Sequence, residues 1–424
     1  MTETRTLAEI LTVEGRIVTP EGIVRGRLRH ASRILAIEPD DNARDELLIV
    51  PGFIDLHVHG GGGADVMDGA DAVRTMARFH ARQGTTTLLA TTVTAPADEL
   101  RRAFAGIAAA RAAPAADGAE VLGVHLEGPF LNPEALGAQP PFAIAPDLGL
   151  VAELHATAPI RVATMAPEID TDGRLLAWLV AHGVRPQIGH TRCSYAEAAA
   201  ALAAGATGFT HLYNAMTGLH HRAPGAVGCA LAEGDFAELI LDFQHVEAGA
   251  ALAARRAIPG LYAAVTDAVA ACGMPDGTYH LGRHAIRKTG ETVRLADGTA
   301  RRQRARQAFA NFAALGLDAV ETVRRTSTLA ADYLGLADRG RLVVGRRADL
   351  ALIDAEGPCR RGARGPADRQ VTAEKRGRRP DRAPVNQSFK NSCILGGWAR
   401  SVDRCPWVAG RRASRGNARC NRRW

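Results

Sequence analysis

No lysine precedes Lys288 in this chain of 424 residues. That absence removes from the first part of the sequence any centre in which a carbamylated lysine bridges two metal ions. Long apolar runs are missing too: nothing approaches the roughly 18 consecutive apolar residues of a membrane span. The opening Met-Thr-Glu-Thr-Arg-Thr lacks the basic start and apolar stretch of a secretory signal. A cytoplasmic location with reduced cysteines is therefore expected. No glycine-rich dinucleotide fingerprint follows an early strand candidate, which counts against a doubly wound nucleotide-binding sheet. What is abundant, 46% hydrophobic residues with frequent Ala and Gly, fits an α/β enzyme with one large core and a small second domain.

The positive charge is unevenly placed. Residues 357–424 carry 18 Lys+Arg against 4 Asp+Glu, which leaves 34 against 41 for residues 1–356. The same tail holds four of the seven cysteines (Cys359, Cys393, Cys405, Cys420) and three of the four tryptophans. Three readings compete for it. A basic, aromatic-bearing extension suits nucleic acid through phosphate neutralisation. Zinc ligation is poorly supported, because the cysteines form no CxxC knuckle. The preferred reading is a shifted reading frame, since GC-rich codons read out of phase yield Arg, Pro, Gly, Ala, Cys and Trp. Arg301-Arg302-Gln303-Arg304 has the same character, with a solvated basic loop as its alternative.

The most informative segment is Pro51-Gly-Phe-Ile-Asp-Leu-His-Val-His-Gly60. Ile54, Leu56 and Val58 share one parity; Asp55, His57 and His59 share the other. On a β-strand the two histidines then sit side by side on one face. Followed by Gly60 to Gly63, they suit a divalent metal needing nitrogen ligands and open space. A hydrogen-bonded core histidine is the competing reading for either one alone.

Residues 8–50 read as short antiparallel strands. Beyond them apolar strand candidates fall at 52–58, 86–93, 121–126, 161–165, 186–190, 207–212, 238–243 and 261–266. Ala-rich helical stretches at 70–82, 97–112, 171–182 and 195–204 lie between them. Eight strands with intervening helices predict a (β/α)8 TIM-type barrel. His57 and His59 end strand one, Glu127 strand three, His190 strand five, His211 strand six and Asp267 strand eight. All would project from the C-terminal rim, where such barrels keep their active sites.

These residues resemble the amidohydrolase superfamily, and within it the N-acetylglucosamine-6-phosphate deacetylases. The likeness rests on Pro-Gly-Phe-Ile-Asp-Leu-His-Val-His-Gly-Gly-Gly-Gly, His-Leu-Glu-Gly-Pro-Phe-Leu-Asn-Pro, Gly-His-Thr, Thr-His-Leu-Tyr-Asn-Ala-Met and Val-Thr-Asp-Ala-Val-Ala-Ala-Cys-Gly-Met-Pro-Asp-Gly, over roughly residues 5–355. It implies a metal-dependent hydrolase in amino-sugar catabolism that removes the N-acetyl group of an amino-sugar 6-phosphate. The galactosamine epimer, a cyclic amidase, and a catalytically impaired chain with a basic binding tail are the alternatives.

The resemblance implies one or two divalent ions per subunit, zinc first, with iron, manganese or cobalt as alternatives. His57, His59, Glu127, His190 and His211 would be the ligands, with Glu127 bridging. Asp267 would be the acid/base residue. Arg222 and His245 would hold the sugar phosphate, partly across a homodimer interface, and Asn214 and Ala215 would face the sugar hydroxyls. The expected partners are this small molecule and a second copy of the chain, with neither membrane nor nucleic acid. Cys193, Cys229 and Cys272 read as small core or loop residues.

Three departures from the family accompany the likeness. Gln139 stands where the family has a histidine that helps polarise the carbonyl, and an amide still donates but cannot become a cation. Arg301–Arg306 replaces an Ala-Gly-Ser loop. Strands that should complete a small β-sandwich beside residues 8–50 are missing or scrambled past Asp354, which predicts unpaired sheet edges. The expected domains are 1–50 and 341–355 for the small β unit, 51–340 for the barrel, and 356–424 for the tail.

Overall fold

The computed structural model describes residues 9–290, 292–295, 300–301, 305–354 and 362–363. All lie within the compact unit Met1–Thr372. The tail from 364 onward and residues 302–304 fall outside the described residues, and with them the shifted-frame readings.

Eight strands form the central parallel sheet in sequential order: Phe53–Val58, Thr85–Thr92, Glu120–Glu127, Ile160–Met165, Arg185–Ile188, Gly208–Phe209, Phe236–Glu238 and Gly260–Tyr262. Each overlaps its strand candidate, strand seven by Glu238 alone and strand eight by residues 261–262, and they are called strands one to eight here. The sheet closes on itself. Val58 bridges Ala268 in parallel, the Asp267 N–H donates to the His57 carbonyl at 2.9 Å, and the His59 N–H donates to the Ala268 carbonyl at 2.9 Å.

Strand one shows why the alternation matters. Ile54 and Leu56 pack outward with Phe309, Val323 and Ala330 of the surrounding helices. That packing leaves Asp55, His57 and His59, all fully buried, on the inward parity.

The connecting helices run Ala70–Ala81, Ala97–Ala112, Leu148–Thr157, Arg174–Ala181, Tyr195–Ala203, Gly225–Glu233 and Ala248–Ala257. Side chains cap some of their starts. Asp147 accepts from the Leu150 N–H at 3.0 Å. Ser194 and Glu197 form a reciprocal capping box at the start of the fifth of these helices.

The small sheet beside the barrel is mixed rather than wholly antiparallel. Leu11–Thr19 pairs antiparallel with Gly22–His30 but parallel with Leu48–Pro51. Leu350–Ile353 adds antiparallel to Leu48–Pro51, and Gly362–Ala363 pairs beyond it. Leu350–Ile353, inside the 341–355 segment expected to return to this unit, thus pairs Leu48–Pro51 from the C-terminal side.

A second antiparallel sheet, Gly277–Leu281, His284–Thr289, Thr292–Leu295 and Ala300–Arg301, has no counterpart in the sequence reading. Leu281, Ile286 and Val293 seat it on Val93, Ala138, Val269 and Ala271. A helix follows this sheet at Ala305–Ala314.

Candidate active site

Six of the residues singled out by the sequence meet at the ends of strands one, three, five, six and eight. Nε2 of His190 and Nε2 of His211 lie 3.0 and 2.9 Å from Oε1 of Glu127. On the other oxygen, Nε2 of His59 and of His57 lie 3.0 and 3.4 Å from Oε2. Asp267 Oδ1 is 3.2 Å from Nε2 of His59. Each of the five ligand candidates is at most 2% exposed.

The hydrogen bonds behind the rings decide what the front atoms are. Nδ1 of His59 faces the Thr91 carbonyl at 3.0 Å and Nδ1 of His190 the Ala135 carbonyl at 2.9 Å. A carbonyl can only accept, so both Nδ1 atoms carry hydrogen and both Nε2 atoms present lone pairs. Those lone pairs converge on carboxylate oxygens, which also only accept. His57 and His59 even bring Nε2 to within 3.2 Å of Nε2. Acceptors so packed need a proton or a cation among them.

The charges respond accordingly. Burial alone would raise the Glu127 carboxyl, yet His57, His190 and His211 hold it well below its ordinary range. Burial would lower His57, but Glu127, Glu238 and Asp267 raise it well above its usual value. Two overlapping groups, His57–His59–Glu127 and Glu127–His190–His211, are able to hold a metal ion. Imidazole nitrogen with carboxylate oxygen suits zinc, iron, manganese or cobalt.

A third group, His57–His125–Glu238, differs in kind. Nδ1 of His125 donates to the Leu56 carbonyl at 2.9 Å, and its Nε2 lies 2.7 Å from the Thr164 hydroxyl. Both nitrogens are therefore engaged. Burial, reinforced by the neighbouring His57, pushes His125 down to about 4 and keeps it neutral. The sequence reading passed over His125, Glu238 and Asp55. The last accepts from the Thr266 hydroxyl at 2.7 Å and the His57 N–H at 3.1 Å, and burial raises it to about 7. Only Asp55 carried a signal, its parity with the two histidines.

Backbone geometry marks the same rim. His190, His211 and Asp267 adopt φ of 48°, 31° and 45°, a left-handed conformation that costs a non-glycine residue about 1–3 kcal/mol. Ala215, at φ 51°, shares it.

The remaining sequence-predicted residues are placed as follows. Gln139 is buried, its Nε2 donating to Glu127 Oε2 and its Oε1 accepting from the Thr94 N–H at 2.7 Å. The Asn214 amide donates to the His211 carbonyl at 3.1 Å. His245 donates from Nδ1 to Asp242 Oδ2 at 2.7 Å, and its buried Nε2 has no hydrogen-bond partner among the described residues. Arg222 is exposed, and among the described residues nothing ties its side chain to the histidine cluster. Cys193, Cys229 and Cys272 are buried and form no disulfide among the described residues.

Residues 48–216, which contain all five ligand candidates, match the amidohydrolase family. Along most of its length the chain is 37% identical to an N-acetylgalactosamine-6-phosphate deacetylase of Escherichia coli O157:H7, covering 80% of this chain and 94% of that protein. The chain belongs to the amidohydrolase family. An N-acetylglucosamine-6-phosphate deacetylase of Bacillus subtilis is 35% identical over 79% of this chain and 88% of that protein. Among solved structures, a mutant N-acetyl-D-glucosamine-6-phosphate deacetylase of Mycobacterium smegmatis, in complex with N-acetyl-D-glucosamine-6-phosphate, superposes with a TM-score of 0.74. It is 32% identical, and the match covers 83% of this chain and 96% of that one. The family is metal-dependent, and the His/Glu groups described above fit that dependence.

Proposed function

We propose that this amidohydrolase removes the N-acetyl group of N-acetylglucosamine 6-phosphate, giving glucosamine 6-phosphate and acetate in amino-sugar catabolism. The observation that carries the reading is the convergence of His57, His59, His190 and His211 on Glu127 beside Asp267. It stands in a chain whose relatives are named as deacetylases of amino-sugar phosphates. The galactosamine epimer is the second reading, favoured by the name of the Escherichia coli relative.

His57, His59 and Glu127 would hold one ion, and Glu127, His190 and His211 another, zinc being the first candidate. When bound, such an ion polarises a carbonyl and makes water acidic enough to act as a nucleophile at neutral pH. Asp267 accepts the proton of the attacking water and returns it to the departing amine. Gln139 keeps a second amide N–H beyond the one donated to Glu127, and that hydrogen serves the acetyl oxygen.

Arg222 and His245 hold the phosphate. As an imidazolium, His245 also donates from its buried Nε2, which has no hydrogen-bond partner among the described residues, and the fork of an arginine matches an oxyanion. Asn214 and Ala215 face the sugar hydroxyls. The working form is a homodimer in the cytoplasm, where a charged sugar phosphate is retained.

The test is acetate release from N-acetylglucosamine 6-phosphate by the purified chain, with zinc and after chelation, beside the galactosamine epimer. Release that chelation stops is expected. No release from folded, metal-loaded protein overturns the reading, and preference for the epimer replaces it with the second.

A further inference from the structure

Strand seven supplies a buried charge that the reaction outlined above does not use. Glu238, its last residue, is fully buried. Its Oε2 accepts from Nδ1 of His57 at 3.2 Å, whereas its Oε1 is buried without a hydrogen-bond partner among the described residues.

Three of the four converging histidines are held from behind, and they are not held alike. Backbone carbonyls take the Nδ1–H of His59 and His190, but a carboxylate takes that of His57. A carboxylate there fixes the tautomer with the Nε2 lone pair facing forward and makes the ring a stronger ligand. It also carries a penalty, since a buried carboxylate with one oxygen unpaired needs positive charge nearby. The neighbouring His125 spends both its nitrogens on the Leu56 carbonyl and the Thr164 hydroxyl, so neither bonds the carboxylate. The remaining source lies through the His57 ring, where Nε2 stands 3.4 Å from Glu127 Oε2 and 3.2 Å from Nε2 of His59.

We propose that Glu238 is a positioning residue for His57, and that through His57 it equips the His57–His59–Glu127 group to hold its own ion, separate from the one at Glu127–His190–His211. This rests on the metal-dependent reading above. Glu238 touches neither substrate nor the reacting atoms in this scheme. Its effect belongs to one of the two metal positions only.

The experiment measures zinc per subunit, and the two zinc dissociation constants by chelator competition, in wild type, Glu238→Gln, His57→Asn and the double variant. Cobalt(II) absorption reports the ligand sets independently of turnover. Glu238→Gln nearly preserves shape, and circular dichroism checks its fold. In wild type, two ions per subunit are expected. Glu238→Gln should weaken one ion roughly 10- to 100-fold, the range for partners behind metal-ligating histidines, while the other ion keeps its affinity. In a His57→Asn background the same change should add nothing. Equal loosening of both ions, a further loss on top of His57→Asn, or a single ion in wild type would each overturn the proposal while leaving the hydrolase reading intact. A wild-type protein that binds no zinc would instead remove the functional reading on which the proposal stands.

Discussion

Oδ1 of Asp267 stands 3.2 Å from Nε2 of His59, although strand eight and strand one lie at opposite ends of the sheet order. Barrel closure brings them together: the Asp267 N–H donates to the His57 carbonyl, and the Thr266 hydroxyl donates to Asp55, two residues before His57. The acid/base candidate and the first two metal-ligand candidates are thus fixed in one hydrogen-bonded seam.

That seam separates chemistry from metal binding. Asp267→Asn keeps shape and polar contacts but cannot take a proton. It should lower kcat by about 10²–10⁴-fold, the usual worth of a positioned acid/base group, while zinc content stays as in wild type. Steady-state kinetics beside elemental analysis checks this. Loss of metal together with rate would make Asp267 a ligand instead.

Gln139 is braced at both ends, by Glu127 and by the Thr94 N–H. Gln139→Ala removes a donor directed at the proposed acetyl oxygen and should lower kcat by roughly 10²-fold, with a smaller change in KM. Unchanged kcat with weaker zinc binding would confine Gln139 to orienting Glu127.

The phosphate assignment is tested by substrate comparison. Arg222→Ala and His245→Ala should each lower kcat/KM for the phosphorylated sugar by roughly 10- to 100-fold, since a hydrogen bond to a charged group is worth about 1.5–3 kcal/mol. Turnover of unphosphorylated N-acetylglucosamine should not move. Arg222→Lys should recover only part of the loss, because an ammonium lacks the planar fork. Equal losses on both sugars would remove the phosphate role.

His125 gives a pH signature. Its folded-state value near 4 lies below the value of about 6.5 for a histidine in an unfolded chain. Between those values the unfolded state takes up a proton that the folded state refuses. The stabilisation is therefore complete above about pH 6.5 and is lost as pH falls toward 4, on the order of 3 kcal/mol in all. Urea unfolding of metal-free wild type and His125→Gln at pH 7 and 5 should show a shallower decline for the variant. Parallel declines would mean that His125 is not held neutral.

Much of this protein can be read along the chain, and the reasons are local. The period-2 pattern of residues 51–60 matches strand Phe53–Val58, and the helix expected over 97–112 occurs as Ala97–Ala112. The sheet from Gly277 to Arg301 was hidden. Its few inward apolar residues, Leu281, Ile286 and Val293, gain their partners from Val93, Ala138, Val269 and Ala271. No window of its own sequence shows a buried face. Glu238 was hidden for the same reason: it sits before Leu239-Ile-Leu241 in an apolar run, and its partner His57 is 181 positions away.

By itself, the sequence marked the candidate residues and the face of strand one that Asp55, His57 and His59 share, because side-chain parity follows from backbone geometry. Only the tertiary structure decided what those residues are to one another. Closing the barrel placed backbone carbonyls behind His59 and His190 and a carboxylate behind His57. Those non-local hydrogen bonds set the tautomers, and the tautomers turn separate histidines into one converging set of lone pairs.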